Sequence, residues 1–551
     1  MMMKKHLLSL FIAALTVLSG CDDKFLNVAP DVALDEAKVF ADPVMAAQYA
    51  DNAYSFLPDD YLRFNEGNGV AQASDEAVGI DVTNPMLYTL SKGLYHDHTA
   101  FTSLAINDIG GQYDRLYAGI RIVNKMLSKM EEVKWTADQN PQRIKGEMYY
   151  LRAFMYFELI KRFGGVVLID KAYAATEDID LPRNSYDGCV KFIQSDIAQA
   201  VSLLPAEHDE ANYGRPTIGA ARALKSRLLL YAASPLHNTS NDPAKWQAAA
   251  DAAKEVMDMN KYKLHPRYEE LLSPAGNGTT DEYILIKIKR PRTWDWAILS
   301  VVSPGSGGRI GTYNPTQNHV DLYEMKNGLP ITDPASGYDP KNPYTNRDPR
   351  FYANILYNDA PWQERKMQMW DGGADYSSSS SSYTATRYYS RKMWPEVYKT
   401  PGTQTAFVNF IFFRYGEILL NYAEAKNEAS GPDASVYSAI NQLRKRAGMP
   451  DLPTGLSKDQ MRARIYNERA VELAFEDNRW YDIMRWKKGK ELVAQKMYGM
   501  NVVKNADGTF TYTKVELAAS FQRVYEDHMH LYPIPRSEIQ KSQKLVQNPG
   551  W

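Results

Sequence analysis

The most informative stretch of the sequence is Ile465–Trp486, which reads IYNERAVELAFEDNRWYDIMRW. Neither proline nor glycine interrupts it, and its apolar residues recur on one side of a helix. The stretch therefore predicts a helix that runs into a second short helix, which carries Trp480 and Trp486. The apolar residues of the pair are Ile465, Leu473, Phe475, Ile483 and Met484.

Three acidic residues of this stretch, Glu468, Glu472 and Glu476, stand four positions apart and form one stripe on a helix. Like charges at this spacing repel each other unless cations lie against them. We expect an ion-pair network that stabilises the fold, and catalytic carboxylates are the less favoured alternative. The expected cations are the arginines three or four residues away, namely Arg464, Arg469 and Arg479.

Composition limits the classes of function. The chain has 551 residues, 24% of them charged, with a formal net charge of -2 and no basic block, so it lacks the electrostatic footprint of a nucleic-acid-binding protein. Aromatic residues are frequent, with 37 tyrosines and 10 tryptophans. Such residues suit ligand grooves and interfaces, although large helical cores also use them.

The N-terminus predicts export with a lipid anchor. A basic start, Lys4 to His6, precedes an apolar run, Leu7 to Leu18, that is too short to span a bilayer. Small residues before Cys21 resemble the cleavage box of bacterial lipoproteins, so residues 1–20 are a predicted signal peptide and Cys21 is the predicted lipidated residue. An ordinary signal peptide that happens to contain a cysteine is the alternative. Since Cys189 would then have no partner, we expect no disulfide.

Most of the chain reads as helices separated by short breaks. Small residues recur at facing positions of consecutive helices and resemble tetratricopeptide units, although the period is irregular. The predicted helices are Asp35–Tyr54, Gln112–Met130, Arg143–Arg162, Tyr186–Leu204, Thr217–Ala233, Pro243–Met259, Tyr415–Glu428 and Val436–Ala447.

A region of different character runs from about Ser273 to Gly402 and is dense in Pro, Gly, Asn, Ser and aromatic residues. An irregular region of this length inside a compact protein is usually functional. Its predicted strands are Glu282–Lys289, Arg387–Met393 and Phe407–Phe413. Tryptophans on such loops offer flat apolar faces to a sugar ring, and Asn314, Arg365, Asp371 and Asp375 are available to bind its hydroxyl groups. The alternative for each aromatic is packing beneath the loops.

Two short motifs raise the possibility of a metal site. They are His96-Asp97-His98 and His528-Met529-His530. Neither has a third ligand nearby in the sequence, so we favour solvated loops and predict no metal and no cofactor.

Several motifs together resemble the SusD/RagB family of surface nutrient-binding lipoproteins. The C-terminal motif is carried by Glu468-Arg469 and by Arg479-Trp480-Tyr481-Asp482, followed by Arg485-Trp486. The phrase LRAFMYFELIKRFGGV, which begins at Leu151, resembles the N-terminal helix-and-glycine motif, and Leu531-Tyr532-Pro533-Ile534-Pro535 with Asn548-Pro549-Gly550-Trp551 resembles the closing motif.

The resemblance implies a mainly α fold, in which a scaffold of tetratricopeptide-like helix pairs carries an irregular loop and short-strand region. It implies an N-terminal part at residues 21–272 and a C-terminal part at 273–551, with ligand-facing loops at about 273–402. The protein would bind a glycan without chemistry and deliver it to a SusC-like TonB-dependent transporter. Asp22 and Asp23 resemble the signal that displays lipoproteins of the Bacteroidota on the outer face of the outer membrane.

The expected ligand contacts are six aromatic residues. Peptide binding within the same family is one alternative. A surface glycosidase, with Asp371 and Asp375 or Glu364 and Asp371 as its carboxylates, is another, and a scaffold that binds only proteins is a third. The six candidate contacts are Tyr88, Trp294, Trp296, Tyr313, Trp362 and Trp370.

Overall fold

A computed structural model gives the fold of most of the chain. Cys21, the predicted signal peptide, Trp294 and Trp296 lie outside the residues that it describes. The described residues are 36–58, 69–79, 85–97, 109–174, 176–177, 179–272, 279–287, 301–308, 310–392, 394, 396 and 409–551.

The protein is mainly α-helical, as predicted. The helices are α1 (Glu36–Ala41), α2 (Pro43–Asn52), α3 (Pro85–Ser91), α4 (Ile109–Lys129), α5 (Pro141–Phe163), α6 (Tyr186–Leu203), α7 (Ile218–Ala233), α8 (Pro243–Met257), α9 (Gln317–Val320), α10 (Pro349–Asn354), α11 (Tyr415–Ser430), α12 (Ala434–Arg446), α13 (Lys458–Glu472), α14 (Asn478–Arg485), α15 (Gly489–Leu492) and α16 (Arg536–Lys541).

Local sequence signals set where the long helices begin and end. In α5 the side chain of Asn140 accepts a hydrogen bond from the amide of Arg143, and Gly164 ends the helix with φ 72°. Ser185 caps α6 and Thr217 caps α7 in the same way. Each polar cap satisfies an amide that the first turn of a helix leaves without an intrahelical partner.

Neighbouring helices pack side by side in chain order. Helix α5 contacts α4 and α6, α6 contacts α7, and α7 contacts α8. The series then continues across the loop region, because α8 and α7 both contact α11, which in turn contacts α12 and α13. The pairing of these helices into tetratricopeptide-like units stays a prediction. No helix of the described residues has the length and apolar character needed to cross a membrane.

The strands form five two-stranded antiparallel sheets: β1 with β3, β2 with β8, β4 with β7, β5 with β6, and β9 with β10. Two predicted strands are present as β2 and β8, while the third is reduced to the two residues of β7. The strands are β1 (Ala77–Gly79), β2 (Tyr283–Lys287), β3 (Tyr313–Pro315), β4 (Ile355–Leu356), β5 (Pro361–Trp362), β6 (Arg365–Lys366), β7 (Tyr389–Ser390), β8 (Phe410–Arg414), β9 (Tyr498–Lys504) and β10 (Phe510–Glu516).

The Ile465–Trp486 stretch forms two helices, but they are separated by a break at 473–477. Phe475 and Asp477 have φ values of 63° and 62° there. The Phe475 side chain is fully buried and packs its ring against Tyr313, with the ring centroids 5.6 Å apart. Burial of Phe475 thus accompanies a left-handed backbone that interrupts the helix.

The acidic stripe is a buried ion-pair network, as predicted, but its cations come from other segments. Arg414 lies 2.8 Å from carboxylate oxygens of both Glu472 and Glu476, and Arg444 lies 3.1 Å from Glu468. The predicted partners Arg464, Arg469 and Arg479 instead bind Glu324, Asp482 and Asp75, respectively.

Candidate functional site

A shallow cleft lies between α3 and the segment that follows β10. Tyr88 and Lys92 line one side of it, and Phe521 and Arg523 line the other. Tyr88 is 43% exposed, which makes it the most exposed of the four candidate contacts that the structure describes. The ammonium group of Lys92 donates hydrogen bonds to the carbonyl groups of Ala519 and Gln522, so the two sides are tied together.

Arg523, a buried arginine of the cleft lining, also holds a neighbouring segment. Its guanidinium donates to the carbonyl oxygens of Gln72, Ser74 and Ala77 and thus fixes the segment 72–77. Burial lowers the pKa of Arg523 to about 10, which still leaves the group charged at neutral pH.

The Ile465–Trp486 stretch also holds the segment 72–77. The amide of Phe475 donates to Glu76 Oε1 over 3.0 Å, and Arg479 makes a two-point ion pair with Asp75. On the other side, β1 pairs with β3, with Gly79 opposite Tyr313. The cleft therefore rests on backbone that the C-terminal helices hold in place.

Trp370 marks a second surface beside the hairpin β9–β10. Its ring is partly buried and lies 5.2 Å from the ring of Phe510, centroid to centroid. The ammonium group of Lys504 lies 4.8 Å from the same ring. A partly exposed indole beside a cation offers both an apolar face and a hydrogen-bond donor.

Two predicted contacts belong to the core. Tyr313 is fully buried, and Trp362 is 1% exposed with its ring 4.9 Å from that of Trp394. A ligand in solvent does not reach rings buried to this degree, so the structure corrects this part of the prediction. Both aromatics pack beneath the loops.

Two of the three carboxylates considered for a glycosidase accept hydrogen bonds from neighbouring side chains. Asp375 is fully buried and accepts hydrogen bonds from Arg365 and Ser303. Asp371 accepts from the amide and the hydroxyl of Ser378, and these bonds lower its pKa. A general acid of a glycosidase needs a raised pKa, so Asp371 is unsuited to that role.

The two histidine motifs do not assemble a metal site among the described residues, where no group of three suitable ligands occurs. Asp97 pairs with Arg536, with 2.9 Å between Nη2 and Oδ1. The Nδ1 of His530 lies 3.0 Å from the hydroxyl of Tyr525, and burial lowers the pKa of His530 to about 4. His98 lies outside the described residues.

Most residues of the cleft are not predictable from the sequence. Lys92, Phe521 and Arg523 stand in segments without a recognisable motif, and they meet Tyr88 only because the chain returns to α3 more than 400 positions later. No local pattern signals such a meeting.

Two family models match this chain. The model described as the SusD family matches residues 268–551. The model described as starch-binding and associating with the outer membrane matches residues 24–230.

Individual relatives extend the likeness. SusD-like protein P2 of Formosa agariphila is 26% identical over 457 residues, which cover 80% of each chain. The solved structure of a SusD-like protein from Bacteroides fragilis has a TM-score of 0.76 and 26% identity and covers 94% of this chain and 98% of that one. A SusD-like carbohydrate-binding protein from the same species has a TM-score of 0.75 and 23% identity, with coverage of 92% and 100%.

Proposed function

The chain belongs to the SusD family, and from this premise we propose that it binds an oligosaccharide or polysaccharide and delivers it to a SusC-like TonB-dependent transporter. The name of the carbohydrate-binding relative in Bacteroides fragilis and the starch-binding description of the N-terminal family model support a glycan as the ligand. The protein acts by capture and release.

The observation that carries the glycan proposal is the exposed ring of Tyr88 beside polar groups in the cleft. A tyrosine ring offers an apolar face to the C–H side of a sugar, and its hydroxyl offers a hydrogen bond. Ser91 and Ser520, which also line the cleft, supply polar atoms for sugar hydroxyl groups.

A fixed cleft favours binding because little conformational freedom is lost when the ligand arrives. Arg523 and Lys92 bind main-chain carbonyl groups on both sides and leave the cleft little freedom to rearrange. Trp370 provides a second platform for a longer glycan, and Trp294 and Trp296 remain proposed contacts of the same kind.

The proposed location is the exterior face of the outer membrane, with the lipid on Cys21 as the anchor. The description of the N-terminal family model, which names association with the outer membrane, supports this location. On the membrane the protein covers its transporter as a lid that passes the captured glycan inward.

Calorimetry with two matched tyrosine variants tests the cleft. Tyr88→Ala is expected to weaken glycan binding by roughly tenfold, because truncation removes the apolar face that the sugar covers. Tyr213→Ala is the control, since Tyr213 is 37% exposed but lies away from the cleft, and we expect it to leave the affinity unchanged. Equal affinities for Tyr88→Ala and the unmodified chain would place the glycan elsewhere.

A further inference from the structure

A second and larger groove lies between α4 and the segment 169–179, with a volume of about 460 Å³. Its apolar surface comes from residues that include Tyr117, Ile120, Ile169, Tyr173 and Ile179. This volume falls in the range of sites that hold a drug-sized molecule or a few side chains of a peptide, which is roughly 300–1,000 Å³.

Residues 167–171, which begin the wall opposite α4, are hydrogen-bonded to α4 and α5. The hydroxyl of Tyr117 donates to the carbonyl oxygen of Val167 over 2.7 Å. The side-chain amide of Asn124 donates to the carbonyl oxygen of Ile169 over 2.8 Å. Arg152 donates to the carbonyl oxygen of Asp170 and to Asn124. This end of the groove is therefore fixed to the helical scaffold.

Three cations line this groove: Arg121, Lys125 and Lys171. Lys125 binds Glu36, with 2.8 Å between Nζ and Oε2. Arg121 and Lys171 make no ion pair with any carboxylate in the part of the chain that the structure describes, although Glu177 lines the groove as well. The ammonium group of Lys171 lies 4.7 Å from the centroid of the Tyr173 ring. A groove whose cations lack carboxylate partners beside an apolar surface favours an acidic, partly apolar occupant.

We propose that residues 22–35 of this same chain, DDKFLNVAPDVALD, occupy the groove. The described part of the chain begins at Glu36, and the Glu36 carboxylate is held by Lys125 at the groove itself. Residue 35 is joined to Glu36 and so starts beside the groove, and a segment of this length is long enough to reach its far end, since an extended chain spans ~3.3 Å per residue.

The segment matches the groove in chemistry. It contains four aspartates and one lysine, and its apolar residues include Phe25, Leu26 and Leu34. The aspartates complement Arg121 and Lys171, and the apolar side chains fit the tyrosine and isoleucine surface. Tethering adds to the affinity, because a segment already joined to Glu36 has a high effective concentration at the groove.

Docking of this segment would shorten the free chain between the lipid anchor and the folded body, whichever glycan is bound. With residues 22–35 seated on α4, little free chain separates Cys21 from the folded body. The body is then held close to the membrane with the groove face toward it, instead of swinging on a free tether of 14 residues.

Photo-crosslinking within the intact polypeptide tests the proposal. The chain from residue 21 onward carries Cys21→Ser and benzoylphenylalanine at position 25, and it is irradiated at low concentration and digested for mass spectrometry. We expect intramolecular crosslinks to peptides that contain residues 117–125 or 169–179. Crosslinks to other parts of the body, or only between two molecules, would overturn the proposal.

A charge-reversal pair separates specific docking from chance contact. The double variant Arg121→Glu, Lys171→Glu is expected to lower the crosslink yield by roughly fivefold or more, while retaining the melting temperature of the parent. The control Lys191→Glu, on the exposed face of α6, should leave the yield unchanged. An unchanged yield in the double variant would contradict the electrostatic match, and saturable binding of a free anionic oligosaccharide in the groove of the intact chain would show another occupant.

Discussion

Arg479 and Asp75 form a two-point ion pair across more than 400 positions of sequence, with Nε 2.9 Å from Oδ1 and Nη2 2.8 Å from Oδ2. Both side chains are buried. The pair joins the second helix of the Ile465–Trp486 stretch to the segment 72–77, whose first residue, Gln72, lines the Tyr88 cleft. A motif far from the cleft in sequence thus supports the cleft in space.

Removal of the Arg479 side chain should lower the stability of the fold. Arg479→Ala leaves the Asp75 carboxylate buried without its main partner, and we expect the free energy of unfolding to fall by about 3–5 kcal/mol. Urea denaturation of the variant and of the unmodified chain measures the difference. The control Lys254→Ala breaks the exposed pair with Asp258 and should cost about 0–1 kcal/mol. Equal losses in the two variants would contradict the structural role of Arg479.

Glu76 should make stability depend on pH in an unusual direction for a carboxyl group. Burial raises the pKa of Glu76 from 4.5 to about 8, and its Oε2 has no hydrogen-bond partner among the described residues. Above about pH 4.5 the unfolded chain releases this proton while the folded chain keeps it, which favours unfolding. The free energy of unfolding is therefore highest below about pH 4.5 and falls as the pH rises to about 8.

The variant Glu76→Gln isolates this effect. It should match the unmodified chain near pH 4 and be more stable by roughly a few kcal/mol near pH 8, because one unit of pKa difference corresponds to ~1.4 kcal/mol. Denaturant titrations of both proteins across this pH window provide the measurement. A constant difference between the two at all pH values would show that Glu76 titrates normally.

The position of Gly165 leaves no room for a side chain. A Cβ atom at this position would lie 2.1 Å from the main-chain carbonyl oxygen of Asn184, and backbone has to move to admit it. Gly165→Ala should therefore lower the free energy of unfolding by about 1–3 kcal/mol. At Gly372 a Cβ atom meets nothing within 4 Å, although φ is 85°, so Gly372→Ala should cost only ~1 kcal/mol from its backbone conformation. A larger loss at Gly372 would contradict this account.

Cys189 should resist thiol reagents in the folded protein. Its side chain is fully buried, and burial raises the pKa of the thiol, which reduces the reactive thiolate. In the chain with Cys21→Ser, we expect labelling by a maleimide only after denaturant is added. Rapid labelling under native conditions would show that α6 opens readily.

The sequence predicted the long helices well because their signals are local. Apolar spacing and polar caps, such as Ser185 for α6 and Thr217 for α7, lie within the segments that they shape. Contacts between segments that are distant in the sequence have no such local signal. The cations of the acidic stripe include Arg414 and Arg444, and no spacing rule within the stretch points to them.

Aromatic residues were the least predictable part of the site. Trp362 and Tyr313 have the loop-rich context of ligand contacts, yet both are buried, because tertiary packing decides which face of a loop meets the core. The hairpin β9–β10 was also missed. Its signal was present, since Asp507-Gly508 stands between two runs that suit strands.

Glycan binding without cleavage is tested by calorimetric titration of the chain from Asp22 to Trp551 against a panel of polysaccharides, oligosaccharides and peptides. Each mixture is analysed afterwards for cleavage products. We predict saturable heat with a glycan, no response to the peptides and no products. Saturable heat with a peptide alone, or the appearance of cleaved glycan, would contradict the account.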